Sequence, residues 1–178
     1  MYFFNQYYNN IIKYDLVNKF NYKNLKAIPE LKRIVLTFNC KDFEIKQLSS
    51  ALLSLKFIAN KNGKLTVSRK PNILLKIRKG NPVGCKIVLT KLNMYIFIEK
   101  LYKEILPKFK NKINIKQSKN LNALTFNISN PLIFKELEKN YFLFNSLKNL
   151  QITFLFNSKN NKELLFLLNS IKIYILQM

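Results

Sequence analysis

Eleven cations and not one carboxylate lie between Glu44 and Glu99: Lys46, Lys56, Lys61, Lys64, Arg69, Lys70, Lys76, Arg78, Lys79, Lys86 and Lys91. A second acid-free stretch, from Ile105 to Lys135, adds Lys108, Lys110, Lys112, Lys116 and Lys119. Side chains of this kind neutralise phosphates and release counterions, which gives tight but salt-sensitive binding to a polyanion. With 31 Lys and Arg against nine Asp and Glu the net charge is +22, far from the magnitude of about 2 to 8 usual for a small soluble domain. That self-repulsion destabilises a compact chain until something neutralises it, so nucleic acid or an anionic membrane is the expected partner.

Catalytic chemistry is poorly supplied. The chain has no His, which removes the commonest general base and excludes a Cys/His zinc site. Cys40 and Cys85 match no metal-site spacing and are expected as free, mostly buried thiols of a reducing compartment, although spacing alone leaves a disulfide open. Glu99 and Glu104, and Glu136 and Glu138, read as surface charges or helix-face pairs such as Glu99 with Lys103. "SRKPNILLKIRKGNPVG" lacks the Gly-Lys-Ser/Thr ending of a phosphate-cradling loop. No catalytic residue, no metal site and no cofactor is therefore expected. The enzymatic alternative is a magnesium-dependent nuclease using Asp42, Glu44 or Glu99.

The elements that must position the cations follow from hydrophobic period. At 178 residues and 48% hydrophobic content the chain fits one folded domain, residues 1–178, with a real core. Tyr8, Ile11, Ile12, Leu16 and Phe20 recur at helical spacing, so a first helix ends near Asn21. "LKRIVLTFN" is β-branched and follows Pro29, which predicts a strand from Leu31 to Phe38. Asp42 is placed to cap a helix whose stripe is Ile45, Leu48, Leu52, Leu55 and Ile58. "KLTVSRK" and "CKIVLT" read as the second and third strands. Pro71, Gly80, Pro82 and Gly84 interrupt the chain between them, so the basic segment is expected as an exposed excursion between paired strands. Asn93 is placed to cap a helix with Met94, Phe97, Ile98, Leu101, Tyr102 and Ile105 on one face and Pro107 past its end. After a Lys-rich connection, "NALTFNIS" and "LQITFLFN" read as strands and "NNKELLFLLNSI" as a last helix.

No window reaches the about 18 to 20 apolar residues of a transmembrane helix, so membrane insertion is not expected. The amino end, "MYFFNQYYNNIIKYD", resembles neither a secretory signal nor an Arg-rich transit peptide. Codons rich in adenine and thymine account for the surplus of Lys, Asn, Ile and Phe, which points to an AT-biased genome such as an organelle's. Phosphate binding gives no reason to prefer Lys, because the planar fork of Arg pairs with phosphate in bidentate fashion.

"KIRKGNPVGCKIVL" followed by "FIEKLYKEILPKFKN" resembles the bacterial form of the large-subunit ribosomal protein five family, whose members hold 5S ribosomal RNA in the central protuberance. "FNYKNLKAIPELKRIVLTFN" and "TVSRK" are similar to its first helix-to-strand passage and second strand. The similarity is strongest over residues 7–109 and weaker over 110–178. It implies an α+β fold, a single domain in which helices pack on one side of an antiparallel sheet, with the long basic loop between the second and third strands. It also implies that Lys76, Arg78, Lys79, Gly80, Pro82 and Gly84 form a loop reaching the transfer RNA in the peptidyl site and the small-subunit protein at the intersubunit bridge. Glycines there would let backbone approach a phosphate chain. The surface for 5S RNA, or for large-subunit ribosomal RNA, maps to Thr37, Asn39, Lys61, Lys64, Arg69, Lys70 and Lys86. Neighbouring proteins of the central protuberance are further implied partners. The pattern departs from the family at "NCKD", at Val88 and at "KNLNAL". The resulting expectation is a structural constituent of an organellar large subunit, in a mitochondrion rather than a plastid. The alternative is an organellar RNA-processing or splicing factor using the same basic surface.

Overall fold

Alternation along "LKRIVLTFN" turns Ile34, Leu36 and Phe38 to one side of strand β1 (Leu31–Asn39), where all three are buried, while Thr37 and Asn39 face the other way. The same period governs β3 (Pro82–Leu89), with Cys85, Ile87 and Leu89 buried, and β6 (Leu150–Phe156), with Leu150, Ile152, Phe154 and Phe156 buried. With β2 (Lys64–Val67), β4 (Ile115–Gln117) and β5 (Ala123–Ile128) these make one antiparallel sheet in the order β2-β3-β1-β6-β5-β4. The α+β class and the antiparallel sheet agree with expectation, and β4 is an addition inside what reads as a Lys-rich connection. The structure, a computed structural model, describes residues 3–40, 45–74, 76–108, 115–117, 122–158 and 160–171. Among these no helix is long and apolar enough to cross a membrane. The expected cap Asp42, and Glu44, lie outside the described residues.

The chain packs as two compact units, one of residues 1–34, 89–127 and 153–178, the other of residues 35–88 and 128–152. In the first, the amino-terminal segment runs through α1 (Phe3–Tyr7), a π turn (Tyr8–Ile12) and α2 (Lys13–Lys19), burying Phe4, Ile12 and Leu16. Phe4 meets the ring of Tyr95 at 6.0 Å, and its backbone N–H donates to Glu99 Oε1 at 3.3 Å. Tyr95 belongs to α4 (Lys91–Lys100), whose Met94, Phe97 and Ile98, with Leu101 and Ile105 beyond its end, form the buried face; Tyr102 is half-buried. Glu99 pairs with Lys103 at 4.0 Å, the helix-face pair anticipated. The helix begins at Lys91, earlier than the sequence suggests, so Asn93 lies inside it; Thr90 takes the capping position with extended backbone. Helix α7 (Asn161–Ser170) contributes Phe166, which meets Phe20 edge-on at 5.9 Å and lies under Lys19 Nζ at 4.3 Å.

The second unit is built on α3 (Ile45–Ala59) with the short α5 (Lys135–Glu138) and α6 (Tyr141–Phe144). Its buried face is Leu48, Ala51, Leu55 and Ile58. Two members of the expected stripe depart from it: Ile45 is 84% exposed in the first turn, and Leu52 is half-buried. The small residues Ala51 and Ser54 take the centre of the contact, with Ser54 Oγ donating to the Ala51 carbonyl at 2.8 Å. Small side chains let the helix approach closely, which rotates the larger Leu52 toward the rim. Phe57 and Phe144 meet edge-to-face at 5.9 Å.

Truncating Leu55 or Leu101, which are 0% and 2% exposed, to Ala is expected to cost about 2 to 5 kcal/mol. Ile45→Ala at an exposed position should stay within about 0.5 kcal/mol. Urea denaturation of the three variants measures the contrast, and an equal loss at Ile45 would refute the assigned helix face.

Candidate nucleic-acid interface

Strands β2 and β3 pair in a register that sets Lys64 directly against Lys86, Leu65 against Cys85 and Thr66 against Gly84, with an irregularity before Val67 meets Pro82. Cys85 points into the core, toward α3, where its Sγ lies 3.6 Å from the Leu48 carbonyl. Lys64 and Lys86 therefore stand side by side on the opposite, open face, and both are exposed. Like charges directly opposed across a strand pair are destabilising unless an anion lies between them. By the same alternation Thr37 and Asn39 of β1 lie on that face. Lys61, just before β2, donates from Nζ to the Val88 carbonyl at 2.8 Å, which pins its ammonium at the edge of the face.

Beyond β2 and β3 the hairpin continues as the basic excursion. Ser68 N–H donates to the Asn81 carbonyl at 2.9 Å and Gly80 N–H to the Ser68 carbonyl at 3.0 Å. Further out Asn72 and Ile77 exchange two backbone bonds of 2.9 Å, and Lys76 N–H closes a tip turn onto the Ile73 carbonyl at 3.0 Å. Lys76 sits at φ +52° and Gly80 at +89°. Arg69, Lys70, Lys76, Arg78 and Lys79 are all exposed along this arm, and Ile73 and Leu74 at its tip are 93% and 94% exposed. An exposed excursion between two paired strands is what the sequence suggests.

Two of the residues assigned to that excursion are elsewhere. Pro82 and Gly84 lie within β3. Pro82 is the first residue of its strand, a position where a missing N–H costs little. Gly84 is buried, and a Cβ built on it would fall 2.2 Å from the Phe38 carbonyl oxygen. Its lack of a side chain serves the approach of β3 to β1 instead of the approach of RNA. The candidate surface thus has two parts. Thr37, Asn39, Lys61, Lys64 and Lys86 share the open face and its edge, whereas Arg69, Lys70, Lys76, Arg78, Lys79 and Gly80 follow the arm outward.

A cleft of about 740 Å³ opens beside Asn39 and Cys40, walled by Gln47 and by Phe142, Asn145, Lys148 and Asn149. Composition and spacing did not single out these residues; the one signal was an aromatic run, "YFLF", set among asparagines. Cys40 and Cys85 are free thiols. Burial pushes both thiols above their ordinary range, and Cys85, with Cys40 nearby, is pushed up to about 11, so neither is a thiolate at neutral pH.

Comparison with known proteins bears on this surface. A model of the C-terminal part of the ribosomal protein uL5 family matches residues 82–175. The large ribosomal subunit protein uL5m of Reclinomonas americana is 31% identical over 151 residues, covering 83% of this chain and 83% of that protein. The large ribosomal subunit protein uL5 of Nitrosomonas europaea is 28% identical over 152 residues, 83% of this chain and 84% of its own length. The protein of the same name from Aquifex pyrophilus is 32% identical over 127 residues, 69% of this chain and 68% of its own.

Gly84→Ala is expected to destabilise the fold by about 3 kcal/mol or more, because a backbone oxygen cannot yield as a side chain does. Gly80→Ala meets nothing within 4 Å and should cost about 1 to 2 kcal/mol from its positive φ alone. Denaturant midpoints of the pair separate the two roles, and equal small losses would show that β3 tolerates a side chain at Gly84.

Proposed function

The chain belongs to the ribosomal protein uL5 family and is a structural, non-enzymatic constituent of the large ribosomal subunit that binds ribosomal RNA, and we propose that the open face around Lys64 and Lys86 is where that RNA lies. In this reading Thr37, Asn39, Lys61, Lys64 and Lys86 contact the backbone of 5S or large-subunit ribosomal RNA, joined by Arg69 and Lys70 at the base of the arm. The observation that carries it is the directly opposed Lys64–Lys86 pair, with no carboxylate anywhere from Ile45 to Ile98 to offset it. A phosphate between the two ammonium groups turns repulsion into attraction. The whole chain, residues 1–178, acts as one ribosomal-protein domain.

The arm carries the second half of the proposal. Lys76, Arg78, Lys79 and Gly80 stand clear of the core and extend to the transfer RNA in the peptidyl site and the small-subunit protein at the intersubunit bridge. Pro82 and Gly84 support the arm by fixing the strand from which it springs. Neighbouring proteins of the central protuberance complete the set of partners. A mitochondrial ribosome is the proposed location, supported by the similarity to uL5m and the lysine-over-arginine bias of an AT-rich genome.

Crosslinking the protein to RNA in intact organelles and sequencing the attached RNA tests this. Reads should concentrate on large-subunit ribosomal RNA, with or without a 5S species, and the protein should sediment with the large subunit at low salt. Reads scattered over introns or messenger transcripts would transfer the same surface to RNA processing and refute the proposal. Charge removal at Arg78 and Lys79 should leave incorporation into the large subunit intact while weakening transfer RNA binding or subunit joining; loss of incorporation instead would place the arm in assembly.

A further inference from the structure

The cleft beside Asn39 holds the most exposed aromatic ring described in the molecule. Phe142 is 98% exposed, with Tyr141 at 49% and Leu143 at 56% beside it. Only Phe144 of α6 is buried, where it anchors the helix against Phe57. Folding therefore accounts for Phe144 and leaves Phe142 without a role in the core. Facing the ring across the cleft are uncharged amides, Asn39, Gln47, Asn145 and Asn149, together with Lys148.

The wall that carries them is fixed by backbone. Asn145 N–H donates to the Tyr141 carbonyl at 2.9 Å, Leu147 N–H to Phe144 at 3.0 Å, and Asn149 N–H to Ser129 at 3.1 Å. Leu147 is buried beneath the turn, and Asn149 takes a φ of +57° that Asn tolerates well. Side chains on such a turn are held ready for a ligand.

We propose that this cleft binds one unpaired nucleotide of the RNA, with its base stacked on Phe142, its polar edge met by the amides of Asn39, Asn145 and Asn149, and its phosphate by Lys148. The site rests on the RNA-binding reading above and shares with it only Asn39. Single-stranded bases are recognised in this way, by stacking on an exposed aromatic ring and by hydrogen bonds to the base edge. An Asn amide offers a donor and an acceptor side by side, which matches the paired groups of a base edge. The volume of about 740 Å³ falls within the about 300 to 1,000 Å³ of small-ligand sites. An apolar peptide would call for an apolar wall, and here the described wall is mostly amide.

Uncharged nucleosides test the site, because they lack the phosphate that any basic surface attracts. In spectra of the ¹⁵N-labelled full-length protein, titration with adenosine, cytidine, guanosine or uridine should shift the side-chain amides of Asn39, Asn145 and Asn149 saturably for at least one of the four. Phe142→Ala should weaken that binding roughly tenfold or more, the loss expected when one stacking ring is removed. Phe142→Tyr should restore it, and the exposure of this position keeps both variants folded. No saturable shift with any nucleoside, or shifts indifferent to Phe142→Ala, would overturn the proposal. Filter binding of large-subunit ribosomal RNA to the same samples separates the two readings. RNA bound without a nucleoside response removes the pocket alone, whereas failure of both removes the RNA-binding reading with it.

Discussion

Gly84 is where the second unit is decided. With the Phe38 carbonyl oxygen 2.2 Å from any Cβ at this position, β3 can lie against β1 only because residue 84 has no side chain. That approach fixes which residues of β3 face inward, and a shift by one residue would exchange them all. Cys85, Ile87 and Leu89 go to the core, and Lys86 goes to the open face. The register with β2 then leaves Lys64 opposite Lys86. The basic arm springs from the same two strands, so its direction follows from the same contact.

The consequence is a surface that is poorly satisfied by the protein itself. In a +22 chain every lysine brought near another is destabilising, and the cross-strand pair is the sharpest instance. Lys61 shows the partial remedy available inside the chain, a backbone carbonyl in place of an anion. A ribosomal RNA partner supplies the rest, and it does so with phosphates that need no particular base sequence. The cleft beside Asn39 differs in kind, because amides and an aromatic ring recognise a base, not a charge.

Much of this was legible along the chain. The five longer strands and the helices at residues 45–59, 91–100 and 161–170 carry strong periods. The buried face of the helix after Thr90 was legible nearly residue by residue. Where the reading failed, the reason was packing. Ile45 fits the apolar period of α3 yet projects beyond the contact, and Ala51, too small to stand out in a stripe, sits at its centre. The short α5 and α6 offer too few residues for any period to show.

Charge, period and the basic motif are local properties, and by itself the sequence determined the partner class, the fold class and the family resemblance from them. The individual role of each site residue was not local. "GNPVG" reads as a loop because Gly and Pro disfavour regular strands, but tertiary structure places Pro82 at a strand's start and Gly84 inside it. The physical reason is that the need for a missing side chain at residue 84 comes from the Phe38 carbonyl, 46 positions away in the chain. The opposition of Lys64 to Lys86 and the meeting of Asn39 with Phe142 in one cleft likewise depend on distances that spacing in sequence does not carry.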